Sequence, residues 1–170
     1  MRVQTAEKSA KLTFKVGENV VHPMHGVGAV VAIEEKNLEG AKSTYYVVDI
    51  GTQTFWIPVN KANDIGLRPV ASKKKLADVI KILQSKATPL KDDLRQRQQE
   101  IAARLTDRSL ENISRLIRDL YERSARGKLN ESDSSTLRRM KALLVGEWAV
   151  SRNISREEAE KQLEATLKGL

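Results

Sequence analysis

Few residues in this chain could do chemistry, and none sit at a spacing that chemistry needs. His22 and His25 are its only histidines. Their spacing would align them on a helix, but Pro23 lies between them and Gly26 follows, so the context is a turn. There is no cysteine, and no carboxylate lies close enough in sequence to complete a metal-ligand set. The pair fits a satisfied turn rather than a metal centre. Gly26-Val-Gly28 lacks the third glycine of a dinucleotide fingerprint, and a β-branched run follows where that motif needs a helix. Asp92-Asp93 and Glu157-Glu158 sit at expected helix starts, where the helix dipole favours negative charge. No acid, base and nucleophile converge, so the expectation is a protein without catalysis, cofactor or metal.

Residues suited to binding macromolecules are better represented. Tyr45, Tyr46, Phe55 and Trp56 are four of the seven aromatics. On alternating strand positions one of each adjacent pair faces out. An outward aromatic anchors a protein partner, or else a module with little interior packs on both faces; both readings stay open here. Further along, Arg97, Arg104 and Arg108 are spaced by seven and four, as on one helix face. Arg115, Arg118, Arg138, Arg139 and Lys141 add to the supply. Such a surface binds phosphates, unless Glu100, Glu111 and Asp119 neutralise it by pairing.

The elements that must position these residues divide in two. From Phe14 to Val70 the pattern is strand and turn. Val20, Val21 and the run Val27 to Ile33 are β-prone, with Pro23, Gly26 and Gly28 between them. A polar loop is expected at Asn37-Leu-Glu-Gly-Ala-Lys-Ser43, then strands at Tyr45 to Ile50 and Thr54 to Val59. Short strands with Gly or Pro punctuation predict a small barrel or curled sheet. The period then changes to 3.6. Leu76, Val79, Ile80 and Leu83 predict a helix over about 73–86, broken by Pro89. A second is expected over about 90–105, with Leu94, Ile101 and Leu105 on one side. Leu110, Ile113, Leu116, Ile117 and Leu120 mark a third, ended by Gly127. Asn130 or Ser132 caps a fourth bearing Leu137, Met140, Leu144 and Trp148, which is expected to be buried. Ser155 and Glu158, at capping-box spacing, open a fifth.

Charge follows the same division. The net charge is +8. Residues 1–70 hold eight Lys/Arg against seven Asp/Glu, and residues 71–170 hold 22 against 15. A near-neutral half beside a basic half suits one protein partner and one polyanion, or simply a solubilised helical surface. No apolar run approaches the ~20 residues of a membrane helix, and residues 1–13 read as a flexible leader without a signal peptide's apolar core. With no cysteine, a cytoplasmic home is the expectation.

The stretch Phe14-Lys-Val-Gly-Glu-Asn-Val-Val-His-Pro-Met-His-Gly-Val-Gly28 resembles the start of the RNA polymerase-interacting domain of CarD/CdnL transcription regulators, a module shared with the transcription-repair coupling factor. The resemblance continues through Ile33-Glu34, Gly40, Tyr45-Tyr-Val-Val48, Ile57-Pro-Val59 and Gly66-Leu-Arg68. It includes Ile117-Arg-Asp-Leu-Tyr121 and Leu143-Leu-Val-Gly-Glu147. It implies an α+β protein with a Tudor/SH3-like β module (14–70) that meets the RNA polymerase β subunit. It also implies a helical bundle (73–170) that touches promoter DNA in the minor groove and steadies the open complex. A monomer, nucleoid-associated, is expected. The polymerase contacts implied are Glu34, Lys36, Trp56 and Pro58; Trp56 stands where some relatives have arginine. The DNA contacts implied are Leu94, Arg95 and Arg97, to which the basic helical surface adds Arg104, Arg138, Arg139 and Lys141 as expected contacts. Leu94 falls where many members carry a tryptophan that wedges into the minor groove, a departure that leaves open an adaptor binding polymerase without DNA.

Overall fold

A computed structural model describes residues 14–38, 40–127 and 129–169; the expected leader, residues 1–13, lies outside these. The chain forms two compact units, Met1–Pro69 and Val70–Leu170.

The first unit is an antiparallel sheet of β1 (Asn19–His22), β2 (Gly26–Leu38), β3 (Ala41–Asp49), β4 (Thr54–Pro58) and β5 (Arg68–Pro69). The order is β4-β3-β2-β1-β5, so β4 and β5 are the edges. A 3-10 turn, Val59–Lys61, and a four-residue helix α1 (Ala62–Ile65) lead into β5. One face buries Val20, Val30, Tyr46, Val48 and Ile57, with Phe14 edge-on to Tyr46 at 5.6 Å between ring centroids. The Phe14 N–H donates to the Tyr46 hydroxyl at 3.1 Å, which ties the start of the described chain to the middle of the sheet.

The two glycines of the opening hairpin act differently. Gly26 has φ +84°, a conformation a Cβ disfavours. Gly28 is needed for space: a Cβ there would lie 2.7 Å from Val48 Cγ1 and 2.9 Å from the Asp49 carbonyl. His22 and His25 stack with Phe55 instead of facing a common ligand, at 5.9 and 4.3 Å between centroids, and His22 Nδ1 accepts the Met24 N–H. The expected polar loop at 37–43 is mostly strand. The ladder continues through Lys36↔Ser43 to Leu38↔Ala41, turning at Gly40 with φ +83°. Asn37, Lys42 and Ser43 of this arm are not buried, so they need not be apolar and the sequence carries no alternation there.

The second unit holds α2 (Lys73–Gln84), α3 (Leu94–Arg104), α4 (Leu110–Ala125), α5 (Glu131–Arg152) and α6 (Arg156–Lys168). Ser72, Asp93, Ser109, Asn130 and Ser155 cap them, each side chain accepting a backbone N–H three residues on. The apolar stripes meet in one core containing Leu76, Leu83, Leu116, Leu120, Leu144, Trp148 and Leu163. Trp148 is buried, its indole N–H donating to Gln162 at 3.1 Å. Helix α3 begins four residues later than its stripe predicted, because Asp93 caps it. Leu90 is left outside the helix as a core anchor.

Glu147, within the Leu143-to-Glu147 run, is buried and accepts the Ala71 N–H at 2.8 Å, while Ser151 Oγ donates to the Ala71 carbonyl at 2.7 Å. The backbone entering the helical unit is thus held on both of its polar groups by α5.

Candidate functional site

Two surfaces, one on each unit, gather the residues singled out above. On the sheet, register and alternation place Glu34 and Lys36 of β2 on one face with Trp56 and Pro58 of β4. Tyr45 and Val47 of β3 lie between them (Glu34↔Tyr45↔Pro58 and Val47↔Trp56). The Trp56 indole N–H donates to Glu34 Oε2 at 3.1 Å. Lys36 Nζ lies 3.8 Å from the same oxygen and 4.3 Å from the Trp56 ring centroid. The indole is thereby held by an acceptor and capped by a cation, yet it remains 47% exposed. Its strand, β4, is a sheet edge. The result is an ordered, half-open aromatic on an edge strand.

A bulge between Val30 and Ala32 leaves Val31 out of the ladder and exposed. Of the aromatic pairs, Tyr46 and Phe55 turn toward the core and Tyr45 and Trp56 lie on the opposite face. Val47, on the outer face, is itself buried, while Trp56 is not.

On the helical unit, Leu94 is the first residue of α3 and 46% exposed. Arg95 beside it is exposed, and among the described residues no hydrogen bond or ion pair holds its guanidinium. The same is true of Arg138 and Arg139 on α5. A cleft of about 400 Å³ is lined by Arg138 and Lys141 of α5, Arg156 and Glu160 of α6, and apolar Leu137 and Val145.

Residues 14–71 match the family model described as the CarD-like/TRCF RID domain, and residues 78–164 match the CarD C-terminal domain. The chain belongs to the CarD family. It is 29% identical over 154 residues to the putative transcription factor YdeB of Bacillus subtilis (strain 168), an alignment covering 89% of this chain and 98% of that protein. Membership places this CarD chain among transcription regulators that interact with RNA polymerase, a family not known for enzymes. No described helix is long and apolar enough to cross a membrane.

Several basic residues expected on this CarD protein's nucleic-acid face are committed elsewhere. Arg97 is 3% exposed. Its Nε donates to Asp133 Oδ2 at 2.7 Å, and its Nη1 to the carbonyls of Lys91 and Asp92 at 2.8 and 2.7 Å. It is an internal tie and not a phosphate ligand. Arg104 is half-buried and donates to Asp119 and Glu100, both at 2.6 Å. Arg118 is buried against Asp119 and Ser85. Lys141 is half-buried and paired with Glu164. Arg108 does not share a face with Arg97 and Arg104, because α3 ends at Arg104. Leu94, expected on a stripe with Ile101 and Leu105, is not in the core. The sequence missed Asp133 and Arg123, whose partners lie 36 and 31 residues away in Arg97 and Asp92; no local pattern signals such pairs.

Proposed function

We propose that this CarD-family chain is a monomeric, cytoplasmic, nucleoid-associated factor. Residues 14–70 bind the RNA polymerase β subunit, residues 73–170 touch promoter DNA, and the open complex at initiation is steadied. On the polymerase side the support is the β4 edge with its held indole. Strand addition supplies main-chain hydrogen bonds, and side chains on alternate positions supply selectivity. Trp56 has the size and partial exposure of an anchor, with Glu34, Lys36 and Pro58 around it.

On the DNA side the observation that carries the reading is Leu94, a large apolar side chain standing outward at the first residue of a helix beside an unengaged Arg95. Apolar wedges in minor grooves include leucine, and they part a base step. Arg95, Arg138 and Arg139 then provide phosphate contacts. A second reading, an adaptor that binds polymerase without touching DNA, draws support from the internal engagement of Arg97, Arg104, Arg118 and Lys141, which thins the basic surface.

The test uses the full-length chain with RNA polymerase and a promoter fragment. Open-complex lifetime after competitor challenge should lengthen when the protein is present, and retention of the protein on duplex DNA should fall steeply with salt. Co-purification with polymerase without either effect would establish the adaptor.

A further inference from the structure

Leu94 stands at the end of a tightly held stretch of backbone. Leu90 is anchored in the helical core. The Lys91 N–H donates to Glu100 Oε2 at 3.4 Å. The Lys91 and Asp92 carbonyls both accept from Arg97 Nη1. Asp92 Oδ1 lies 3.1 Å from Arg123 Nη1 of α4. Asp93 caps α3 by accepting the Gln96 N–H at 2.8 Å. Two of these ties, those to the Lys91 and Asp92 carbonyls, run through the Arg97 guanidinium, whose Nε is held by Asp133.

The Arg97 and Asp133 side chains are 4% and 1% exposed, in contact at 2.7 Å. Asp133 is the third residue of α5, its own N–H donating to the Asn130 cap at 2.8 Å. That position is in the first turn of α5, where a negative side chain meets the positive end of the helix dipole. Asp133 Oδ1 is buried without a hydrogen-bond partner, so the contact with Arg97 Nε is the hydrogen bond its carboxylate makes. Apolar packing offers α3 little alternative: its buried residues are Arg97 and Ile101.

We propose that Asp133 is a positioning residue: through Arg97 it fixes residues 91–93 and with them the outward setting of Leu94. This deepens, and rests on, the reading of Leu94 as a DNA contact. Without the carboxylate, the guanidinium would be buried without a counter-charge and would turn toward water. Its two bonds to the Lys91 and Asp92 carbonyls would go with it, while the cores of α2, α4 and α6 stay intact.

The experiment compares full-length wild type, Asp133→Asn, Leu94→Ala and the double variant, with Arg97→Lys as a second route should Asp133→Asn not fold. Lysine keeps the charge but cannot hold three acceptors in a planar fork. Amide hydrogen exchange reads the stretch directly. In Asp133→Asn, amides 91–96 should exchange about tenfold faster or more, with α2, α4 and α6 unchanged. Open-complex lifetime should shorten several-fold in the Leu94 background and not shorten further in the Leu94→Ala background. Unchanged exchange at 91–96, or an equal fold-loss of lifetime in both backgrounds, overturns the proposal. If Leu94→Ala alone leaves lifetime unchanged, it is the DNA-contact reading that fails. Exchange at 91–96 then still decides whether Asp133 holds that stretch.

Discussion

Truncating Leu94 separates a surface role from a packing role by magnitude. Full burial of a leucine is worth about 1.5–3 kcal/mol, and Leu→Ala in a closed core costs about 2–5 kcal/mol because a cavity remains. With 46% of Leu94 exposed, roughly half of the burial term applies and no enclosed cavity forms, so Leu94→Ala costs about 1 kcal/mol. For a unit of this size that is a fall in melting temperature of about 4–8 °C. A wedge contributing about 1.4 kcal/mol to the open complex shortens its lifetime tenfold when removed. Leu94→Trp adds area on a side that faces water, so it should lengthen lifetime with little change in melting temperature. The assays are a thermal melt of each variant and open-complex decay after competitor challenge. A loss of more than about 15 °C in both variants, or an unchanged lifetime in Leu94→Ala, refutes the reasoning.

Trp56→Ala should weaken binding of the full chain to RNA polymerase about fivefold or more; titration of labelled protein giving wild-type affinity would remove Trp56 from the interface. Arg138→Ala and Arg139→Ala should each lower the salt dependence of DNA retention by about one unit of slope and leave the melt unchanged. Arg97→Ala should instead destabilise by about 3–5 kcal/mol, since it strands the Asp133 carboxylate; denaturant unfolding distinguishes the two behaviours. The carboxyl of Glu111 is held below its ordinary 4.5 by backbone hydrogen bonding at the start of α4 and by Lys75. A depressed folded pKa gives stability that is present above 4.5 and lost as pH falls through the folded value. The gap in melting temperature between wild type and Glu111→Gln should therefore be present at neutral pH and close on acidification. It should be small, because Glu111 and Lys75 are both partly exposed.

The strands and helices were legible where one face meets a core, as in the stripe Leu110 to Leu120 or the β-branched run after Gly26. The arm at 37–43 was not, because its described side chains, Asn37, Lys42 and Ser43, are polar and not buried. Leu94 shares its helical phase with Ile101 but falls early in its helix, so periodicity left core and surface both open; the Asp93 cap makes it the first helical residue, with 46% of it exposed. The bulge at Val31 has no mark in the sequence, where residues 27–33 run apolar without alternation. The arginines were hardest. Arg97 and Arg95 are the same residue type two positions apart, yet one is buried and the other open. The difference rests on a carboxylate in α5. The Glu34–Lys36–Trp56–Pro58 grouping came from a resemblance; its geometry required the register of three strands.

The way α3 is fastened also bears on how such a helix can drift over generations. Arg97 and Asp133 are bound as a couple, whereas Arg104 and Asp119 belong to a wider set with Glu100 and Arg118. A single replacement in the couple must pass through a stranded buried charge costing about 3–5 kcal/mol, so those positions are expected to change together or not at all. Leu94 carries no such obligation: it is outside the core and its neighbours' hydrogen bonds do not involve its side chain. The tip can therefore be exchanged in one mutational step, leucine for tryptophan or the reverse, on a mount that stays the same.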